Sequence, residues 1–170
     1  IGDVQGDGDL ELVFGSKDRS LYIANYDGSN DAVYVSTGYI MDTPVLANVD
    51  SDAELEIVFG TFESGSSGKI YVINHDATDV PGFPVDIGEI IMVAPAVDDI
   101  DNDGLIDIIV GTWGNNIYAL SADGSIKSGF PFATGNRINI SPSLANVTGD
   151  SNLEIVAGSD DQNMYIINSS

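Results

Sequence analysis

The sequence repeats one pattern four times, and this internal repeat constrains the fold more than any other feature. The copies align on a glycine that follows a short apolar run, and these glycines are 45, 51 and 47 residues apart. The registered positions are Gly15, Gly60, Gly111 and Gly158; the acids Glu11, Glu56, Asp107 and Glu154; the prolines Pro44, Pro95 and Pro142; and the tyrosines Tyr22, Tyr118 and Tyr165. In the second copy the tyrosine, Tyr71, comes later because residues are inserted within 62–69, as expected for a loop. The chain therefore uses one structural unit several times.

Each copy contains short apolar runs that predict β-strands. In the second and third copies the predicted strands are Pro44–Val49, Ile57–Phe59, Ile70–Asn74 and Phe83–Ile87, and Ala94–Val97, Ile108–Val110, Ile117–Ser121 and Phe130–Thr134. Prolines at 84 and 131 predict that the fourth strand is an outer edge, because proline cannot donate to a central ladder. Four short antiparallel strands at this period are typical of propeller blades. We therefore predict an all-β fold, a β-propeller made of four-stranded antiparallel blades.

The whole of residues 1–170 is predicted to be one propeller region. Its blades fall at about residues 1–40, 41–90, 91–138 and 139–170, with the first strand of the first copy truncated at its start and the last strand missing from the fourth copy. A closed ring of six to eight blades needs about 270–380 residues. We therefore expect a continuation in a longer parent chain, a ring completed by a second copy, or a four-bladed ring. An uncovered end blade would expose an apolar flank and favour self-association.

An acidic loop lies between the first two predicted strands of the third copy. Its carboxylates stand at positions 1, 3, 5 and 9, with glycine at position 6, and the residues are Asp99, Asp101, Asp103, Asp107 and Gly104. Ca²⁺ takes six to eight oxygen ligands, and the backbone carbonyl of Leu105 at position 7 is a further candidate. A helix–loop–helix calcium site needs a carboxylate at position 12, where this chain has Val110. The pattern therefore predicts a calcium loop between two strands.

The other copies carry the same loop with substitutions. The candidate ligands are Asn48, Asp50, Asp52, Glu54 and Glu56 in the second copy, and Asp3, Gln5, Asp7, Asp9 and Glu11 in the first. The first loop departs from the pattern at Gln5. The fourth loop, with Asn146, Thr148, Asp150 and Glu154, has a single early carboxylate, and its occupancy by metal stays open.

The third copy, from Pro95 to Gly111, resembles the FG-GAP and VCBS-type repeats of integrin-α-like β-propellers. The pairs Phe14-Gly15 and Phe59-Gly60 keep the Phe-Gly of the repeat, and the segments 81–84 and 128–131 are similar to those of secreted and surface bacterial members. The resemblance covers essentially the whole chain. It implies calcium between the first and second strands of a blade, and ligand contacts on the opposite face.

The composition restricts the partners. The net charge is −22, from 27 acidic and 5 basic residues, which argues against nucleic acid and anionic membranes as partners. The absence of cysteine excludes disulfides and thiolate metal sites. No apolar run approaches the ~20 residues of a membrane span, so no membrane insertion is predicted. Together with the resemblance, an acidic calcium-binding chain is expected to be extracellular or at the cell surface.

No catalytic constellation is present in the sequence. The only histidine, His75, has no recognisable partner, and there is no cysteine nucleophile, Gly-x-Ser-x-Gly motif or phosphate-binding glycine loop. The sequence therefore predicts a scaffold for adhesion or for binding a protein or glycan, with Trp113, Arg137 and Tyr39 as the candidate ligand face. The alternative is a fragment of a calcium-dependent propeller enzyme such as a polysaccharide lyase, an interpretation that rests on fold analogy.

Overall fold

The computed structural model shows four antiparallel β-sheets that follow one another along the chain. The structure describes residues 1–50 and 52–169. Within these residues the strands are β1 (Leu12–Gly15), β2 (Ser20–Ala24), β3 (Asn30–Val35), β4 (Val45–Ala47), β5 (Glu56–Gly60), β6 (Lys69–Ile73), β7 (Val85–Asp86), β8 (Ala96–Asp98), β9 (Asp107–Gly111), β10 (Asn116–Ser121), β11 (Phe132–Ala133), β12 (Ser143–Ala145), β13 (Glu154–Gly158) and β14 (Met164–Ile167). The sheet orders are β1-β2-β3, β4-β5-β6-β7, β8-β9-β10-β11 and β12-β13-β14, and we call these sheets blades one to four. No helix in the described residues has the length and hydropathy to span a membrane.

The predicted strands are confirmed in number and order in the two middle blades, but the first and the outermost strands are shorter than predicted. The first strands β4 and β8 each contain three residues, whereas the sequence predicted Pro44–Val49 and Ala94–Val97. β7 and β11 each contain two residues, whereas the sequence predicted Phe83–Ile87 and Phe130–Thr134. The prolines at 84 and 131 lack an N–H, so ladder pairing begins only after them. Both strands lie at the edge of their sheets, as predicted. In blade one, the innermost position is taken by an isolated bridge between Gly2 and Glu11.

The hydrophobic core lies between neighbouring sheets, in three separate layers. Successive residues of a strand point to opposite faces, so one strand contributes to two layers. In β5, Ile57 and Phe59 pack against blade one, while Val58 packs against blade three. In β9, Ile109 packs towards blade four. The middle blades are thus buried on both faces, which is how propeller blades stack.

The repeat glycines make room for an isoleucine that arrives from the connection to the next blade. A Cβ added to Gly111 would overlap the side chain of Ile138, which is fully buried. Gly15 and Gly60 meet Ile40 and Ile91 in the same way. A side chain at these positions is excluded by lack of space and not by backbone conformation, because the φ angles of these glycines are not in the left-handed region. The repeated glycine is therefore a packing requirement of the blade interface.

The repeated tyrosines join consecutive blades, as expected for a regularly repeated aromatic residue. Tyr71 stacks on Phe59 and contacts Tyr34 of blade one edge-to-face. The tyrosine hydroxyls reach the connection that leaves the preceding blade: the Tyr71 oxygen is 2.7 Å from Thr37 Oγ1, the Tyr118 oxygen 3.2 Å from Glu89 Oε1, and the Tyr165 oxygen 3.3 Å from Gly135 N.

Apolar side chains are exposed on the two end sheets. Leu12, Phe14, Val33 and Val35 are exposed on blade one, and Met164 and Ile166 on blade four. Among the described residues, no large apolar side chain of β4–β11 is exposed. The end sheets therefore each present an apolar face that the middle sheets bury.

Candidate metal centre

The acidic loops precede β1, β5, β9 and β13, and their first carboxylate shapes the turn. In the third loop, Asp99 Oδ1 accepts from the N–H of Asp103 at 3.0 Å, and its Oδ2 accepts from the N–H of Gly104 at 2.7 Å. Gly104 has a φ of 88°, a left-handed conformation that glycine adopts without strain. In the first loop, Asp3 makes the same two hydrogen bonds. In these two loops, both oxygens of the position-1 carboxylate therefore accept hydrogen bonds from backbone N–H groups.

The acid at position 9 anchors the loop to the blade core. Glu11, Glu56, Asp107 and Glu154 are all buried, with at most 1% of their surface exposed. Each accepts a hydrogen bond from the backbone N–H at position 2, at distances of 2.8, 2.6, 3.3 and 2.8 Å in chain order. In the first three loops, the side chain at position 2 is itself buried between blades. One oxygen of each position-9 carboxylate is therefore bound to the loop backbone. The partner of the other oxygen differs among the loops.

In the second loop, the other oxygen has no protein partner. Glu56 Oε2 accepts from the N–H of Val49 at 2.6 Å and of Asp50 at 3.3 Å, but the buried Oε1 makes no hydrogen bond. Carboxylate oxygens of Asp50, Asp52 and Glu56 lie within 4.8 Å of one another, and the two aspartates are exposed to solvent. Burial raises the pKa of Glu56, and the charges of Asp50 and Asp52 also raise it, against backbone hydrogen bonds that lower it. These three oxygens fit a hard cation, which prefers an all-oxygen ligand set.

In the third loop, the corresponding space holds the ammonium of Lys127. Its Nζ lies 2.7 and 2.8 Å from Asp107 Oδ1 and Oδ2, and 2.8 Å from Asp101 Oδ2. The other oxygen of Asp101, Oδ1, is buried without a hydrogen-bond partner. Burial raises the pKa of Asp107, with the ammonium opposing that rise. Burial works against the charge of Lys127, but hydrogen bonds to the two aspartates raise its pKa above the ordinary value. Asp99, Asp101 and Asp107 also place oxygens within 4.8 Å of one another.

In the fourth loop, a hydroxyl takes the second oxygen. Thr148 donates from Oγ1 to Glu154 Oε1 at 2.9 Å, while the N–H groups of Val147 and Thr148 bind Oε2. Both oxygens of the buried acid are thus satisfied by the chain. In the first loop, Gln5 donates its amide to Asp31, a residue outside the loop. The described residues of the first and fourth loops do not form an acidic cluster of the kind found in the other two.

Several predicted ligands are engaged within the loops themselves. The position-5 aspartates Asp7, Asp52 and Asp103 each accept the N–H of position 7, from Asp9, Glu54 and Leu105 respectively, at 2.8–2.9 Å. The amide of Asn48 donates to the backbone carbonyls of Asp52 and Glu54. The structure therefore brings together the acids of positions 3 and 9 in the second and third loops, with position 5 added in the second and position 1 in the third.

Sequence reasoning missed Lys127, although its place in the repeat offered a signal. It is one of five basic residues in a chain with 27 acids. Aligned on the Gly-Phe-Pro segments, it occupies the position of Val80 in the second copy. A cation at a registered position of an acidic repeat is a candidate partner for that repeat's buried acid.

The predicted ligand face is formed by turns and connections at the opposite end of the sheets from the acidic loops. Arg137 stacks on Trp113, with its guanidinium carbon 4.8 Å from the ring centre. The indole Nε1 of Trp113 is buried and has no hydrogen-bond partner. Tyr39 lies at the junction of blades one and two, half-exposed and edge-to-face with Phe62. Tyr39 and Phe62 line a surface depression of about 550 Å³, together with Lys17 and Arg19.

Comparison with solved structures supports a β-propeller. The chain is similar to BBS1N in its complex with ARL6DN (TM-score 0.67, 18% identity), covering 99% of this chain and 52% of that one. It is also similar to BamB from Moraxella catarrhalis (TM-score 0.65, 16% identity, 95% and 42% covered) and to the Pseudomonas aeruginosa PilY1 C-terminal domain (TM-score 0.63, 17% identity, 94% and 38% covered). All three are propeller-type folds. At these identities the likeness shows the fold alone, and the chain spans about half or less of the length of these structures.

No protein-family model and no curated protein sequence matches the chain. The all-β architecture and the similar structures thus support the predicted β-propeller, with sheets of three or four antiparallel strands, whereas the FG-GAP/VCBS resemblance stays a prediction.

Proposed function

We propose that this chain is a calcium-binding β-propeller module of the FG-GAP/VCBS type, belonging to a secreted or cell-surface protein, and that it serves as a scaffold for binding another protein. The observation that carries the metal site is Glu56 Oε1, a buried carboxylate oxygen without a protein partner that lies beside Asp50 and Asp52. Leaving a buried charged group unsatisfied is costly, and a bound cation removes that cost. Residues Asp50, Asp52 and Glu56 would hold the ion.

The role of the ion is structural. When bound, it supplies positive charge between three carboxylates that otherwise repel one another. Glu56 begins β5 and Val49 is buried in the layer between blades two and three, so the loop is tied to the blade interface. Ordering this loop therefore stabilises the junction that positions the turns at the other end of the sheets.

Calcium is the favoured ion because the ligand set contains only oxygen, and calcium accepts carboxylates in varied arrangements. Mg²⁺ demands a near-ideal octahedron and dehydrates reluctantly, and zinc sites favour His and Cys ligands. Extracellular calcium modules bind at roughly 0.1–1 mM, which suits the proposed location. Protein binding is supported by the fold class, since BBS1N, one of the similar structures, is in complex with ARL6DN. The face carrying Trp113, Arg137 and Tyr39 is the proposed contact surface.

Isothermal titration calorimetry with Ca²⁺ tests this proposal. The wild-type chain is expected to bind Ca²⁺ with a dissociation constant of roughly 0.1–1 mM, and to bind Mg²⁺ more weakly. Glu56→Gln should abolish the binding at this loop. Glu154→Gln is the matched control, because the same change in the fourth loop affects an acid whose oxygens the chain already satisfies. Equal calcium binding by the wild-type chain and Glu56→Gln would refute a metal site in the second loop.

A further inference from the structure

The second and third loops have the same acidic framework but differ in the source of positive charge. In the second loop, a buried oxygen of Glu56 has no protein partner. In the third loop, both oxygens of Asp107 lie within 2.8 Å of Lys127 Nζ, and Oδ2 also accepts from the N–H of Ile100. We propose that Lys127 is a built-in cation that takes the place of the divalent ion in the third loop and excludes it. This inference deepens the proposed function, since it limits the metal to loops without such a lysine.

The ammonium has the geometry of a coordinated cation. Its three N–H donors face three carboxylate oxygens of Asp101 and Asp107 at 2.7–2.8 Å. These distances are close to the 2.3–2.6 Å of calcium–oxygen contacts. A second positive ion bound to the same oxygens would lie within a few ångströms of Nζ and would be repelled strongly at this short range. Metal binding to this loop therefore requires Lys127 to leave.

The backbone holds Lys127 in position. Its N–H donates to the carbonyl of Ala119 at 2.9 Å, and its carbonyl accepts from Phe130 at 3.2 Å. Its side chain is only 11% exposed. The lysine stem is thus fixed in the turn that leads to β11, and swinging it into solvent would abandon a buried pair of charges.

The equivalent residue of blade two differs only in its side chain. Val80 donates to the carbonyl of Val72 at 3.0 Å and accepts from Phe83 at 3.0 Å, which are the same two backbone contacts. Val80 is buried in the layer between blades two and three and carries no charge. In blade one the corresponding residue is Asp31, which accepts from Gln5. One position of the repeat therefore presents a cation, an apolar group or an acid to its loop.

Blades two and three therefore differ in their dependence on calcium. In blade three, the single positive charge of Lys127 is held between Asp101 and Asp107, so the buried acid keeps its partner at any calcium concentration. Blade two depends on the ion. Calcium dependence is therefore confined to one side of the interface that the two blades share.

The test compares calcium stoichiometry in Lys127 variants by titration calorimetry, in the wild-type chain and in a Glu56→Gln background that silences the second loop. Lys127→Val, which copies Val80, should add one calcium site with a dissociation constant of roughly 0.1–1 mM in both backgrounds. Lys127→Met preserves the length of the stem and should give the same gain if valine impairs folding. Lys127→Arg keeps a cation and should leave the stoichiometry of its parent unchanged.

Thermal unfolding provides a second readout. Without metal, Lys127→Met should melt below the wild-type chain, and calcium should raise its melting temperature by more than it raises that of the wild type. Folded Lys127→Val and Lys127→Met proteins that bind no additional calcium would overturn the inference. The second-loop site is tested by comparing calcium binding in the wild-type chain and Glu56→Gln, and the role of Lys127 is tested by the additional site in the Lys127 variants. The two proposals can therefore fail independently.

Discussion

Removing the charge of Glu56 should abolish most of the calcium-dependent stability of the chain. Glu56→Gln keeps an acceptor for the N–H of Val49, and it replaces the unpartnered oxygen with an amide that can donate to Asp50 or Asp52. The metal-free variant should therefore fold at least as well as the wild-type chain, because a buried unpaired charge has been removed. What it should lose is the ligand that completes the metal site.

The size of the effect follows from mass action. At about 10 mM calcium and a dissociation constant of roughly 0.1–1 mM, ion binding to the folded state contributes about 1.4–2.7 kcal/mol. For a chain of this length, each kcal/mol shifts the melting temperature by about 2–4 °C. The wild-type protein should therefore melt about 3–11 °C higher in calcium than in excess chelator.

Differential scanning calorimetry at constant ionic strength measures this shift. Glu56→Gln should show little or none of it, whereas Glu154→Gln should retain it, since Thr148 already satisfies that acid. A calcium shift of the same size in Glu56→Gln and the wild-type chain would show that the ion acts elsewhere, and the reasoning from the unpartnered oxygen would fall.

Three further predictions follow from the blade interfaces. Gly111→Ala places a Cβ against the buried Ile138 and should cost about 1–3 kcal/mol in a denaturant titration; if the clash is the cause, Ile138→Ala should remove this penalty in the double mutant. The hydroxyl of Tyr165 is the main reason that the pKa of Asp161 is lowered to about 2, so Tyr165→Phe should raise that pKa towards 3.8 in a ¹³C NMR titration, and an unchanged value would contradict the assignment. Because the folded-state pKa of Asp161 is depressed, its contribution to stability is present above pH 4 and is lost as the pH falls towards 2. The exposed apolar faces of blades one and four should cause self-association above the 17.9 kDa monomer mass in light scattering, and Val35→Lys with Met164→Lys should reduce it; a wild-type monomer at all concentrations would show that these faces do not associate.

The repeat register made the fold predictable from sequence. Residues such as Gly111, Asp107 and Tyr118 recur because each blade must solve the same packing problem, so their spacing is visible without a structure. Strand ends were less predictable. At β7 and β11 the ladder shortened because the prolines cannot donate, and only the observed pairing shows where it resumes.

The sequence by itself determined where the acidic loops lie and which of their residues are candidate ligands. The tertiary structure decided which of these acids come together and which are already paired with other groups of the chain. Lys127 is 20 residues from Asp107 along the chain, and Thr148 and Glu154 satisfy each other inside the fourth loop. Whether a buried carboxylate is left without a partner depends on every group that folds around it. The loop with the most regular acidic pattern therefore has Lys127 against its buried Asp107, whereas a less regular loop leaves Glu56 Oε1 without a partner.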